Sequence, residues 1–393
     1  MDYNPFLPEV QENPYPYYAY LREHAPVYQV PGVGMWAVSR YDDVLSIIKN
    51  PQVFSNAIVA SAPMGDFNPF PPEAPPLLAY DPPDHTRLRK LANRAFTPRR
   101  VASLERHIRE VTERLIAHIA AQGECDLVKD LASPLPGITI AELLGVPLER
   151  REDFKRWSNA VASATNGIAM PAEEGETIRQ SFAEFHAYLR SAIAAYRQKP
   201  GDNLLSDLVR AEEENQMLTA EEVQSLAVLL LVAGSETTTN LISNAVLALL
   251  DHRQELAKVR ANLALVPRLV EETLRYDTPI QGMFRLTTRE VEVAGTLLPS
   301  GTPVILLFGS ANRDERKFPE PHRFDILRNT EGHLAFSFGI HYCLGAELAR
   351  LEAKVALEAL LGRFPQFSCK EEHVPRLVSF SVRGPKVLPL VVG

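Results

Sequence analysis

The sequence predicts a mainly α-helical fold with a smaller β-rich region, and three observations carry that prediction. Apolar residues recur three and four apart over long stretches in the middle of the chain. Short strand-like pieces lie towards both ends. No Gly/Ser linker or low-complexity tract interrupts the 393 residues, so residues 1–393 read as one continuous domain.

The elements follow in order. Val27–Val30 and Met35–Val38 read as strands. Between and within them, Gly32-Val33-Gly34-Met35-Trp36-Ala37 fits the G-x-G-x-x-A pattern of dinucleotide sites, but strand follows where helix is required, so no flavin or nicotinamide site is expected. From Pro63 to Pro83 proline interleaves with Phe67, Phe70, Leu77 and Leu78, which excludes regular helix or central strand. Composition alone allows that stretch to be a binding lid or plain surface filler. Helical spacing then covers Val101–Ala121, Glu174–Lys199, Thr219–Asp251 and Pro267–Tyr276. The third opens on a capping box, Thr219-Ala220-Glu221-Glu222, and the fourth on a proline at a first-turn position. Val304–Leu307 and Lys386–Val392 are strand-like, and Leu344, Leu348, Leu351, Val355 and Leu361 mark a last helix from Gly345 to Phe364.

Composition narrows the function. Hydrophobic residues at 46% and charged residues at 23% fit a globular enzyme with a large core. A formal net charge of -8 argues against nucleic-acid binding, which needs a basic surface. The start, Met1-Asp2-Tyr3-Asn4-Pro5-Phe6, has neither a basic nor an apolar leader segment, and the apolar run Ser225–Gly234 is shorter than the roughly 20 residues of a membrane span. A cytoplasmic protein without a membrane anchor is expected. Three widely spaced cysteines, Cys125, Cys343 and Cys369, form neither a disulfide framework nor a C-x-x-C pair, and Cys125 and Cys369 are assigned to structure.

The third cysteine is different. Phe336-Ser337-Phe338-Gly339-Ile340-His341-Tyr342-Cys343-Leu344-Gly345 sets it between two glycines, in front of the last helix. Only a thiolate ligates iron well, and the N-terminus of a following helix supplies the N–H donors and dipole that favour one. Gly339 and Gly345 suit a turn and a close approach of backbone to a flat ligand. Without those flanks, Cys343 would read as a small buried apolar residue.

The spacing of Phe336, Gly339, His341, Cys343 and Gly345 resembles the haem-thiolate loop of cytochromes P-450, and the chain resembles a soluble, bacterial-type member from about Asp2 to Val392. The resemblance implies the triangular, mainly α haem-thiolate fold and a haem b whose iron takes Cys343 as its axial thiolate. Phe336, Gly339, Gly345 and Ala233 would lie against that haem.

Other segments gain meaning from the same resemblance. Ala233-Gly234-Ser235-Glu236-Thr237-Thr238 places small residues, an acid and hydroxyls in an apolar helix, which is costly unless they have partners or a task. A Thr bonded back one turn, a Glu turned to solvent, or a local kink at Gly234 would each answer that. The resemblance implies that Glu236 and Thr237 steer protons and water during dioxygen activation. His85 and Arg89 lie four apart on one helix face, which suits either a carboxylate or a solvated basic surface. By resemblance they hold the haem propionates, with Arg285 and His341, although Met283–Thr287 departs slightly from the commonest family pattern. Glu272 and Arg275 form a common i,i+3 pair. Phe318-Pro319-Glu320-Pro321-His322-Arg323-Phe324 resembles the family segment whose arginine completes a buried Glu272–Arg275–Arg323 network.

Phe67, Phe70, Leu78, Leu229, Ala233, Ile280, Gln281, Met283 and Phe380 are the residues that family position turns towards substrate, and they describe an apolar pocket. Fatty acids, terpenoids, steroids and polyketides fit it equally. The implied activity is monooxygenation, as hydroxylation or epoxidation, with electrons from NAD(P)H delivered by a ferredoxin and ferredoxin reductase or similar partners. Lys90, Arg94, Arg99 and Arg100 read as a ferredoxin-docking patch or an unspecific solvated face. Rival readings are a peroxide-driven peroxygenase, a non-oxygenating haem-thiolate enzyme and a haem-based sensor.

Overall fold

The computed structural model describes residues 2–61, 68–165, 172–213 and 216–393, so the expectation for Phe67 lies outside the described residues. It is mainly helical with a smaller strand part. The predicted strands Val27–Val30, Met35–Val38 and Val304–Leu307 meet in one sheet, while the strand predicted over Lys386–Val392 joins a second. Val27–Val30 pairs antiparallel with Met35–Val38, Val27 opposite Val38 and Val30 opposite Met35. Gly32 and Gly34 both take φ of 71° in the connecting turn, so the G-x-G pattern belongs to a hairpin and not to a dinucleotide loop.

Pro303–Leu306 runs parallel to Met35–Val38 and antiparallel to Met283–Thr287, which carries Phe54–Ser55 on its far edge. The apolar run Val304-Ile305-Leu306-Leu307 has no polar face because this central strand is covered on both sides. Val304 and Leu306 enter a core with Val38, Val44, Ile47 and Phe308, while Ile305 and Leu307 enter a second with Val30, Met35, Ala37 and Leu21.

A second antiparallel sheet joins Phe367–Cys369, Pro389–Val392 and Glu124–Asp126. Leu390 stands opposite Cys369 on one side and Cys125 on the other. Two strand spacings, roughly 9–10 Å, therefore separate those cysteines, beyond the reach of a disulfide.

The predicted helices form with small shifts. Val101–Ala121 divides into Pro98–Ser103 and Glu105–Gln122, and the others run Ala172–Gln198, Ala220–Asp251, Val266–Tyr276 and Ala346–Arg363. The capping box is formed in full: the Thr219 N–H donates to Glu222 Oε2 at 2.8 Å, and the Glu222 N–H donates to Thr219 Oγ1 at 3.1 Å. Ala220–Asp251 continues without interruption through Gly234. Among the described residues it is the single helix long and apolar enough to cross a membrane. It also buries Gln224, Ser225, Asn240, Ser243 and Asn244, as a core helix does.

Contacts group the chain into two compact units. The larger comprises Met1–Ile58, Ile108–Pro134 and Thr237–Gly393 and holds both of these sheets. The smaller comprises Val59–His107 and Leu135–Glu236 and is nearly all helical.

Candidate active site

In the larger unit, the segment before helix Ala346–Arg363 folds into a closed loop. The Cys343 N–H donates to the Phe336 carbonyl at 3.0 Å, and the Tyr342 N–H to the Gly339 carbonyl at 3.1 Å. Ser337 and Gly339 make the turns possible with φ of 60° and 67°, and Gly339–His341 forms a single 3₁₀ turn. Phe336 is buried beneath the loop, while Cys343 is exposed. Cys343 stands three residues ahead of Ala346, and Gly345 is the N-cap.

The surroundings of this thiol fit a large flat ligand. A Cβ built on Gly339 or Gly345 would meet no heavy atom within 4 Å. Phe338 and Ile340 remain 45% and 38% exposed, an apolar surface beside the thiol. Among the described residues no three His, Cys, Asp or Glu side chains come together as a metal site. One cysteine cannot hold a bare ion, so the donor set suits iron that arrives in its own macrocycle.

The predicted propionate partners are distributed over three elements. Arg285 sits opposite Val304 in the first sheet, 5% exposed, with Nη1 donating to the Phe284 carbonyl at 2.7 Å. His341 is half-buried in the cysteine loop. In the smaller unit, helix Asp84–Ala95 carries His85, buried, and Arg89, half-buried. Burial, then the charge of Arg89, holds the His85 imidazole down at about 4. At neutral pH His85 thus offers an N–H without a charge, and Arg89 supplies the charge.

Glu236 and Thr237 occupy successive positions on the long helix, both half-buried, with Ala233 exposed one turn earlier. Burial alone raises the Glu236 carboxyl to about 7. Gly234 packs against Ile140: a Cβ there would lie 2.9 Å from Ile140 Cδ1, so the end of that side chain would have to shift.

The buried ion cluster differs from its predicted membership. Glu272 and Arg275 are fully buried and joined at two points, Nε to Oε2 and Nη2 to Oε1, both at 2.8 Å. Arg323 does not complete them. Its side chain is 57% exposed and lies 3.8 Å from Glu320 and 3.7 Å from Asp325. Arg328, 10% exposed, brings Nε to 3.4 Å from Glu272 Oε1 instead. The reason is in the backbone: the Arg323 carbonyl accepts from both Arg275 Nη2 and Arg328 Nη2, so the main chain faces the cluster and the side chain turns outward. Arg328 was missed because the irregular segment Asp325-Ile326-Leu327-Arg328 has no periodicity to orient its side chains.

Of the pocket candidates in the larger unit, Ile280 bridges to Val382, Met283 opens its strand, and Phe380 packs on Phe6 and Phe284. Gln281 is buried, donates Nε2 to the Thr278 carbonyl at 2.8 Å, and rests its Oε1 against Gly309, so it is a packing residue of that unit. In the smaller unit Phe70 and Leu229 are buried and Leu78 half-buried. The proline-rich stretch is tied down there, by His186 on the Pro69 carbonyl and Ser225 on the Pro75 carbonyl. In the predicted docking patch, Arg100 is paired with Asp202 and Asp207.

The family model for cytochrome P-450 matches residues 7–386. The chain belongs to the cytochrome P-450 family. A cytochrome P-450 structure from Chondromyces apiculatus is 41% identical, covers 100% of this chain and 98% of its own, and superposes with a TM-score of 0.91. The cytochrome P-450 monooxygenase PikC of Streptomyces venezuelae is 40% identical over 96% of this P-450 and 91% of its own length. Cyclomarin C epoxidase of Salinispora arenicola is 41% identical over 94% and 93%. This P-450 is therefore a haem-thiolate monooxygenase of small organic molecules that draws electrons from NAD(P)H through partner proteins.

Proposed function

We propose that Cys343 is the axial ligand of the haem iron in this monooxygenase and that Glu236 and Thr237 manage its protons. The observation that carries the first assignment is the closed loop, which presents one exposed thiol with two open glycine positions and an apolar rim beside it. Bound haem supplies dioxygen activation and oxygen insertion, a chemistry that belongs to the cofactor. The protein's own residues do the rest. By their chemistry, Arg285 and His341 in the larger unit, and Arg89 and neutral His85 in the smaller, are each suited to a propionate. Glu236 holds a proton near neutral pH because it is buried. Successive helix positions point about 100° apart, so Glu236 acts as the proton reservoir and the Thr237 hydroxyl as a separate donor, with water between them.

The substrate is an apolar molecule that is hydroxylated or epoxidised; Phe70, Leu78, Leu229, Ile280, Met283 and Phe380 support that reading by their chemistry, and an epoxidase among the relatives supports the second outcome. Electrons arrive through a ferredoxin whose acidic face meets Lys90, Arg94 and Arg99. The enzyme works in the cytoplasm as one functional domain, in keeping with cysteines held apart in the second sheet.

Dioxygen uptake measured against product tests the proposal. Uptake coupled to product with NAD(P)H, ferredoxin reductase and ferredoxin, and lost in Thr237→Ala, is the expected result. Turnover with peroxide alone, unaffected by Glu236→Gln or Thr237→Ala, would favour a peroxygenase.

A further inference from the structure

The loop that carries Cys343 is gripped from one side by a cluster that thiolate ligation by itself does not call for. Arg350, one turn into helix Ala346–Arg363, donates Nε to Glu271 Oε1 at 2.7 Å and Nη2 to Glu271 Oε2 at 3.2 Å. Its Nη1 reaches the Tyr342 hydroxyl at 3.1 Å and Glu347 Oε1 at 3.0 Å. The guanidinium carbon lies 4.6 Å from the centre of the Phe336 ring. Glu271 in turn meets His333 Nε2 at 3.0 Å, and His333 Nδ1 accepts the Ala335 N–H at 3.2 Å. With Nδ1 accepting, Nε2 is the nitrogen that carries the hydrogen to Glu271.

Two of the residues that Arg350 touches, Phe336 and Tyr342, belong to the loop that carries Cys343. Phe336 provides the carbonyl that fixes the Cys343 N–H, and Tyr342 is the residue immediately before the cysteine. The Phe336 and Tyr342 rings meet edge-on at 6.4 Å, and the His333 ring lies 6.1 Å from Phe336. One guanidinium thus holds both ends of the ligand loop, and it is itself fixed at two points on a carboxylate from helix Val266–Tyr276. Burial pushes the Glu271 carboxyl up, but the hydrogen bonds from His333 and Arg350 outweigh it and bring it to about 2. The anchor therefore stays anionic throughout the neutral range.

We propose that Arg350, anchored on Glu271 and His333, is a positioning residue that fixes the direction in which Cys343 presents its sulfur to iron. The inference rests on the reading of Cys343 as ligand. Losing the fork removes this charged grip on the loop, and the sulfur can then turn away from iron, which releases thiolate ligation while the helices remain intact.

The test uses the haem-loaded, reduced, CO-bound protein in a sub-denaturing concentration of guanidinium. Conversion of the long-wavelength Soret band to the short-wavelength form is followed beside far-UV circular dichroism. Arg350→Ala is expected to convert about tenfold faster than the parent, the effect of losing one charge-assisted hydrogen bond, with an unchanged dichroism signal. Arg350→Lys keeps the charge without the planar fork and should fall between the two, as should Tyr342→Phe, which removes a single contact. Conversion within about twofold of the parent, or conversion that merely tracks loss of helix in every variant, would overturn the inference, because hydrogen-bond effects on ligation must exceed that margin. A parent protein with no long-wavelength band would instead remove the Cys343 assignment on which it rests.

Discussion

At Glu236 burial moves a titration into the neutral range. An ordinary glutamate loses its proton near 4.5, whereas burial holds this one until about 7. Between those values the unfolded chain is ionised there and the folded chain is not, so the folded state binds the extra proton. Stability contributed by this site therefore falls as pH rises from about 4.5 to 7 and is level above that. Glu236→Gln removes the penalty: its melting temperature should match the parent at pH 4 and exceed it at pH 8, by no more than about 2–3 kcal/mol in free energy. The same substitution should remove the decline in turnover on the alkaline side of pH 7 and lower the maximum by roughly 10²-fold, the usual worth of a positioned proton donor. Paired melting and kcat profiles against pH check both. A neutral glutamate at pH 7 could not be read from the Ala233–Thr238 run, because it depends on what surrounds the helix.

At the scale of elements, the cysteine loop and the buried ion cluster show where sequence reading succeeds and where it stops. The loop was legible because its turn residues are constrained one by one: Gly339 adopts φ of 67°, a conformation that penalises side chains. Gly339→Ala should meet no clash, since the Cβ position is open, yet cost about 1–2 kcal/mol from backbone strain. Calorimetry of the haem-free protein reads that cost directly. Helix starts were legible for the same local reason, as the reciprocal Thr219–Glu222 bonds illustrate. The ion cluster was legible only in part. Glu272 and Arg275 share a helix, where spacing dictates facing, but their third partner comes from irregular chain, and the choice between Arg323 and Arg328 is made by tertiary folding. Arg328→Ala should destabilise by roughly 3 kcal/mol by leaving Glu272 with a buried charge less well compensated. Arg323→Ala should change stability by less than about 1 kcal/mol, since exposed pairs contribute little. Chemical denaturation of the two variants side by side separates them.

For the whole molecule, a mainly helical chain with a small strand part follows from periodicity, but the sheet's composition does not. Val27–Val30, Met35–Val38, Pro303–Leu306, Met283–Thr287 and Phe54–Ser55 come from three distant regions, and pairing across such separations leaves no local trace. Met283–Thr287 in particular is too mixed in character to announce itself, although it places Arg285 in the sheet. The division into two compact units, each assembled from discontinuous segments, is likewise a property of long-range contacts. Against that background, one cysteine makes the central claim testable for the molecule as a whole. The most direct measurement is the CO difference spectrum of the reduced, haem-loaded protein, recorded for the parent and for Cys343→Ser. A long-wavelength Soret band of thiolate-ligated haem in the parent, absent from Cys343→Ser, is the predicted result. The same band in both proteins, or an imidazole-type spectrum from correctly folded parent, would contradict ligation by Cys343.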